Sequence, residues 1–194
     1  MARLPGMEGT DEIAARIRAR RGGTLHPLDE MLLHSPQLAD GWNSFLGAVR
    51  RRMSLPDMIR ELVILRIAVL NRADYEWAAH EPDARRAGLN DAQLDAVKRM
   101  AVPISGSASG PLRDSVSDSV SDSVFSEVQR LAIAYADAVT IDVHVSDEVF
   151  DALRPHFTEK ELVELTATVA AYNMVSRFLV ALQVGSPAAT RMAR

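Results

Sequence analysis

The sequence predicts an all-α protein, folded as a single-domain helical bundle. Apolar residues recur at spacings of three and four along most segments, and capping residues stand where those segments begin. The apolar–polar alternation of a half-buried strand is absent, and only residues 139–145 have a β-like composition. At 194 residues, 47% of them hydrophobic and 25% charged, the chain is long enough to bury a substantial core.

Six helices are predicted in the first half, each from a local start or stop signal. Thr10-Asp11-Glu12 begins the first and Gly22-Gly23 ends it. Ser54 is predicted to cap the fourth, with Pro56 in its first turn. This helix is apolar on every side from Leu62 to Leu70, which predicts a central buried position. The predicted segments are Thr10 to Gly23, Leu28 to Leu33, Pro36 to Arg52, Ser54 to Leu70, Tyr75 to Gly88 and Asn90 to Met100.

Three further helices are predicted after a Ser-rich segment. They run from Phe125 to Ile141, from Ser146 to about Pro155, and from the capping box Thr158-Glu-Lys-Glu161 to about Val184. Residues 103–124 are rich in Gly, Ser and Pro and repeat Asp-Ser-Val, which predicts a flexible, solvated insertion. We therefore expect a helical extension (1–35), a core (36–102), the insertion (103–124), helices that complete the same domain (125–186) and a tail (187–194).

Composition excludes several functional classes. The net charge of −4 provides no positive field for nucleic acid or an anionic membrane. The absence of cysteine excludes disulfides, zinc–thiolate sites and thiol redox chemistry. The longest apolar run, Leu62 to Leu70, is interrupted by Arg66 and is too short to span a bilayer. With no secretory signal visible, we expect a cytoplasmic protein without nucleic-acid or membrane partners.

Reactive side chains gather around the most apolar sequence. Glu76 and His80 are four residues apart and share one helix face, where a carboxylate can orient the imidazole and favour its protonated form. His80 is then a candidate general acid or base, with Glu61 or Glu76 as its orienting group or as a second acid–base group. Arg60 and Arg66 could each pair with Glu61. The alternative is that Glu76 and His80 form only a mildly stabilising surface pair.

A carboxylate–histidine metal site is only a third hypothesis, which elemental analysis of the purified protein would settle. A second histidine and the carboxylate spacing typical of zinc or iron sites are missing around His80. The other histidines stand near predicted helix ends and are interpreted as surface or capping residues: His26, His34, His144 and His156. We expect neither a metal nor another cofactor.

Aromatic and amide residues in apolar helices are candidates for lining a substrate pocket, although core packing is the favoured interpretation of each residue taken singly. Arg177 lies in an otherwise apolar helix, four residues after Asn173, and could anchor a substrate carboxylate or pair with an internal glutamate such as Glu61. The remaining candidates are Trp42, Asn43, Tyr75, Trp77, Tyr172 and Asn173.

The stretch from Arg60 to Leu89 resembles the carboxymuconolactone decarboxylase family, which includes the alkylhydroperoxidase-D-like proteins. Looser similarity extends to residues 36–43 and 161–173. In the peroxidase branch of that family a glutamate, two cysteines and a histidine occupy the positions that are here Glu61, Ala73, Glu76 and His80. Because a thiolate nucleophile is required for peroxide reduction, its absence excludes that activity.

The resemblance implies the family's all-helical, alkylhydroperoxidase-D-like fold and a homo-oligomer, a trimer or hexamer, with a dimer as an alternative. It also implies the non-redox chemistry of the family, in which a lactone acid loses CO2 as a double bond moves. We therefore expect a cofactor-free lyase or isomerase acting on a small unsaturated, lactone or β-keto carboxylic acid. His80 would transfer the proton and Glu61 and Glu76 would tune it. The alternative is a catalytically silent oligomeric binding or scaffold protein.

Overall fold

The computed structural model describes residues 2–100 and 124–185, and no residue in those two ranges lies in a strand. The all-α prediction is confirmed. The helices in the described ranges are α1 (Glu12–Arg21), α2 (Pro27–Leu32), α3 (Pro36–Arg51), α4 (Asp57–Leu70), α5 (Asp74–Arg86), α6 (Asp91–Arg99), α7 (Glu127–Ile141), α8 (Asp147–Asp151) and α9 (Glu159–Leu182). The insertion predicted at 103–124, apart from its last residue, and the tail at 187–194 lie outside the described residues.

Four helix starts in the described ranges are set by capping residues that the sequence predicted. Asp11 caps α1, Asn90 caps α6 within a capping box, and Ser146 caps α8. Thr158 and Glu161 exchange the hydrogen bonds of a capping box at the start of α9, at 2.8 to 3.2 Å. These interactions satisfy backbone N–H groups that have no partner within the first turn of a helix.

Contacts divide the chain into two compact units. Of the described residues, the first unit contains 2–52 and 178–185, and the second contains 53–100 and 124–177. In the first unit α3 packs against α1 and α2, and the Trp42 ring contacts the Phe178 ring with 5.2 Å between centroids. The domain boundaries expected from the sequence remain predictions.

The second unit is built around α4, which packs against α5, α6 and α7. Residues 62–68 of this helix are buried on every side, as the continuous apolar run predicted. The hydrophobic cluster beside it draws on α4, α5, α6 and α7 and comprises Leu62, Leu65, Ala68, Ala73, Trp77, Ala84, Leu89, Leu94, Ala96, Val97, Phe125 and Ile133.

Arg66, which the sequence offered as a partner for Glu61, instead forms a buried ion pair with Asp137 of α7. Its Nε and Nη2 donate to the two carboxylate oxygens at 2.6 and 2.8 Å. Five residues separate Arg66 from Glu61, so their side chains leave α4 in different directions. Burial raises the pKa of Asp137 above its ordinary value, against the opposing effect of the Arg66 guanidinium.

The predicted cap of α4 is wrong. Pro56, not Ser54, is the N-cap residue of α4, because the residue before a proline is biased away from helical conformation. Ser54 instead donates through its backbone N–H and its hydroxyl to Oε2 of Glu164, at 2.7 and 2.9 Å. The Leu55 N–H donates to the same oxygen at 2.8 Å. Burial acts to raise the pKa of Glu164, but these hydrogen bonds lower it below its ordinary value.

Among the described residues, α9 is the one helix that is long and apolar enough to cross a membrane by length and composition. Half of its most apolar window is buried inside the protein. Its buried face also carries Tyr172, Asn173 and Ser176, all of which make side-chain hydrogen bonds within the second unit. These features are typical of a helix that packs inside a folded domain.

Candidate active site

Two consecutive helices bring Glu61 and His80 together. Nδ1 of His80 lies 2.9 Å from Oε2 of Glu61, and the residues are 7% and 3% exposed. A carboxylate oxygen accepts, so this geometry places a proton on Nδ1. The other ring nitrogen, Nε2, lies 3.2 Å from the hydroxyl of Tyr172 on α9. These three residues are hereafter the Glu61–His80–Tyr172 chain.

The turn between α4 and α5 explains why residues nineteen positions apart meet. α4 ends at Leu70, Arg72 adopts φ of +55°, and the Ala73 N–H donates back to the Ala68 carbonyl at 2.8 Å. The chain thereby reverses within about three residues. Glu61 lies nine residues before the end of α4 and His80 lies six residues after the start of α5. At about 1.5 Å of rise per residue their levels differ by about one helical turn, which the two side chains span.

Glu61 is held on both oxygens. Nε of Arg60 donates to Oε1 at 3.2 Å, while His80 occupies Oε2. Arg60 also donates through Nη1 to Asp57 at 2.7 Å. Contacts on both oxygens fix the plane of the Glu61 carboxylate, which in turn fixes the imidazole that it orients.

Glu76 occupies a second buried position, one turn before His80 on α5. It is 1% exposed and its Oε1 accepts a hydrogen bond from Oγ of Ser176 at 2.7 Å. Glu76 and His80 are one turn apart on α5, and their partners Ser176 and Tyr172 are one turn apart on α9. Because the partners follow each other in the opposite order along the sequence, α5 and α9 face each other in antiparallel directions. Because Glu76 and His80 are both buried, the surface-pair interpretation is wrong.

Asn173 lies next to Tyr172 but has a different environment. Its Nδ2 donates to Oγ1 of Thr140 at 2.9 Å and to the Val169 carbonyl at 3.0 Å. Its Oδ1 accepts from Asn71 at 3.1 Å. These contacts tie α7, α9 and the end of α4 together, which is a structural role.

Two other predicted pocket residues belong to α5. Trp77 is part of the hydrophobic cluster, its Nε1 donates to Glu81 at 2.9 Å, and the Lys98 ammonium lies 4.6 Å from the ring centroid. Hydrogen bonds from Arg85 and Trp77 lower the pKa of Glu81 below its ordinary value. Tyr75 is half-buried. Core packing explains the position of Trp77, and its role in a substrate pocket stays a prediction.

The remaining candidates differ in burial and in the unit that contains them. Trp42 and Asn43 lie in the first unit, where Asn43 donates to the Ala39 carbonyl at 2.7 Å. Arg177 is exposed on α9 and is not buried against Glu61. The histidines other than His80 are all exposed, as predicted, and His26 is the N-cap residue of α2: His26, His34, His144 and His156.

A third titratable group beside Glu61 and His80 was missed by the sequence analysis. Glu61, His80 and Asp83 each place one potential ligand atom within 4.8 Å of the others. Asp83 follows His80 by three residues on α5, and this spacing was the signal that could have found it. One imidazole and two carboxylates suit a divalent cation. The expectation of a metal-free protein stays a prediction, to be checked by elemental analysis.

Comparison with known proteins agrees with this architecture. Residues 36–109 match the carboxymuconolactone decarboxylase family, which confirms the resemblance, and the match includes Glu61 and His80. No protein of curated function matches the chain at a significant level.

Solved structures show the same fold. An uncharacterized peroxidase-related protein from Ralstonia eutropha JMP134, described as an alkylhydroperoxidase AhpD core, is 19% identical, with a TM-score of 0.72 over 94% of this chain and 90% of that one. A peroxidase-related protein from Silicibacter sp. TM1040 is 13% identical, with a TM-score of 0.71 over 96% and 92%. A cysteine-to-alanine variant of the debrominase Bmp8, bound to 2,3,4-tribromopyrrole, is 16% identical, with a TM-score of 0.69 over 96% and 91%.

Proposed function

We propose that this chain, whose residues 36–109 match the carboxymuconolactone decarboxylase family, is a lyase or isomerase that moves a proton on a small unsaturated, lactone or β-keto carboxylic acid. The observation that carries the proposal is the buried hydrogen bond between Glu61 and His80. An imidazole oriented by a carboxylate is a suitable general acid or base near neutral pH. We propose a reaction that uses no cofactor, in which the protein's side chains and water move the proton.

For decarboxylation, the bond between the substrate's α carbon and its carboxylate breaks and CO2 leaves. The electron pair passes into the conjugated system, and protonated His80 delivers its proton to the carbon at the far end. Glu61 stabilises the imidazolium before this step, and water restores the proton afterwards. For isomerisation, neutral His80 instead takes a proton from one carbon and returns it to another.

Burial supports this chemistry. Glu61, Glu76 and His80 are each less than a tenth exposed, so charge that develops on a substrate beside them is poorly screened by water. Glu76 is the second carboxylate of the proposal and stands where the peroxidase branch has a cysteine. It would act as a further proton acceptor or as a determinant of which acids enter.

The names of the structural neighbours favour neither reaction. Several are called peroxidase-related and one is a debrominase. This chain contains no cysteine, so a mechanism that uses a thiolate is closed to it. We further propose a cytoplasmic homo-oligomer whose partner is a small carboxylate.

The test is a panel of lactone, vinylogous and β-keto acids, incubated with wild type and with His80→Gln, with CO2 release and product mass measured. Release of CO2 that depends on His80 supports a decarboxylase. A product of unchanged mass that depends on His80 supports an isomerase. If wild type and variant are equally inactive across the panel, the proposal is wrong and the non-catalytic binding or scaffold alternative replaces it.

A further inference from the structure

Both nitrogens of the His80 ring have partners, on two different helices. Glu61 of α4 occupies Nδ1 at 2.9 Å and Tyr172 of α9 occupies Nε2 at 3.2 Å. The two rings are nearly perpendicular, at 88°, with 5.0 Å between centroids. Tyr172 is fully buried, so this arrangement is fixed by packing and is not a loose surface contact.

We infer that Tyr172 is a positioning residue of the acid–base site: before substrate binds, its hydroxyl holds Nε2 of His80 in both protonation states and so orients the ring, and the substrate then takes this place at Nε2 for the proton transfer. This inference rests on the proposed function for its catalytic consequence, but the contact can be tested without turnover. Nothing in the sequence connects Tyr172 with His80, since 92 residues separate them.

The role of the Tyr172 hydroxyl follows from the hydrogen bonds that the two nitrogens of His80 can make. When His80 is neutral, Nδ1–H donates to Glu61, so Nε2 can only accept, and the Tyr172 hydroxyl donates to it. When His80 is protonated, Nε2–H donates and the same hydroxyl oxygen accepts. A hydroxyl can partner both states because it is donor and acceptor at once, which neither a carboxylate nor an ammonium can do.

The two states do not benefit equally from Tyr172. A hydrogen bond to a charged group stabilises more than one between neutral groups. Tyr172 therefore favours protonated His80, in the same direction as Glu61. Among the described residues, the charged or titratable groups near this pair include Arg60 on α4, which contacts Glu61, and Glu76 and Asp83 on α5.

The experiment is a pH titration of His80, followed by 15N NMR of the imidazole in the full chain after metal ions have been removed with a chelator, for wild type and Tyr172→Phe. We expect the pH at which half of His80 is protonated to fall by about one unit in the variant, a tenfold change in proton affinity. The matched control is Tyr135→Phe. It removes a buried phenol hydroxyl that contacts Oγ1 of Thr166 at 2.7 Å, also in the second unit, and should leave the titration unchanged.

An unchanged His80 titration in folded Tyr172→Phe would overturn the inference, and so would an equal shift in Tyr135→Phe. If Tyr172→Phe does not fold, the wild-type spectrum decides. A neutral Nε2 with the shift of a hydrogen-bonded acceptor supports the inference, and a free lone pair contradicts it. On a substrate that turns over, Tyr172→Phe should lower kcat about tenfold with KM nearly constant. If wild type turned over no substrate, the proposed function would be wrong, but the His80 titration would still test the contact with Tyr172.

Discussion

At the scale of single residues, the identity of the carboxylate that reaches His80 decides how the imidazole is used. Sequence spacing offered Glu76, four residues before His80, and Glu61, nineteen before it, on equal terms. In the structure Glu61 contacts Nδ1, while Glu76 accepts a hydrogen bond from Ser176. Glu61 is therefore the group we assign to orient the ring, while the Oε1 atom of Glu76 is held by Ser176.

Replacing Glu61 tests this assignment. Glu61→Gln keeps the shape of the side chain but removes the charge that stabilises protonated His80, so we expect kcat to fall by about 10²-fold. The protein should stay folded by circular dichroism. The control is Glu127→Gln, which makes the same substitution at an exposed glutamate in the first turn of α7. Wild-type kcat in folded Glu61→Gln would exclude Glu61 as the orienting group.

At the scale of helices, the sequence predicted most of what is local. Asn90 and Ser146 cap their helices through contacts three residues away, and such contacts are visible in sequence. Ser54 was misassigned because its true acceptor, Glu164, lies 110 residues further along the chain. The pairing of His80 with Tyr172 was invisible for the same reason: a contact between α5 and α9 depends on packing that no local pattern encodes.

Glu164 provides a prediction at this scale, because one carboxylate of α9 holds the segment that leads into α4. Glu164→Ala removes the acceptor of three hydrogen bonds and should lower the free energy of unfolding by about 1–2 kcal/mol at pH 7. Since folding lowers the pKa of Glu164, its contribution is complete above the ordinary value of 4.5 and is lost as the pH falls through the folded value.

Urea denaturation at several pH values measures this contribution. The difference between wild type and Glu164→Ala should shrink as the pH is lowered below about 4.5. The control is Glu159→Ala, which removes an exposed carboxylate from the first turn of the same helix. A difference of the same size at pH 7 and at pH 3 would mean that Glu164 acts through packing and not through its charge.

At the scale of the whole molecule, the sequence predicted the fold but not which residues pair inside it. The continuous apolar run of α4 predicted a central buried helix, and the structure places it at the centre of the second unit. A buried arginine such as Arg66 needs an acidic partner, but the sequence did not show whether this partner is Asp137, 71 residues away, or the nearby Glu61. Long-range partners of buried charges are decided by packing.

Association is the prediction that belongs to the whole chain. Large apolar side chains remain exposed on α9, notably Val163 at 68% and Met174 at 40%. Exposed apolar surface of this kind is commonly covered in an oligomer. We expect sedimentation equilibrium of the full chain to give a mass that is a small multiple of 21.2 kDa, two, three or six. A monomer at micromolar concentration would contradict this expectation.

The acid–base role of His80 is best tested by comparing kcat/KM of His80→Gln with that of wild type on the best substrate of the acid panel. Because general acid–base catalysis contributes about 10²–10⁴-fold, we expect a loss in that range. His156→Gln, the same change at an exposed histidine, should retain wild-type kcat/KM. If folded His80→Gln turned over the substrate as fast as wild type, His80 would not be the acid–base group and the account of this site would be wrong.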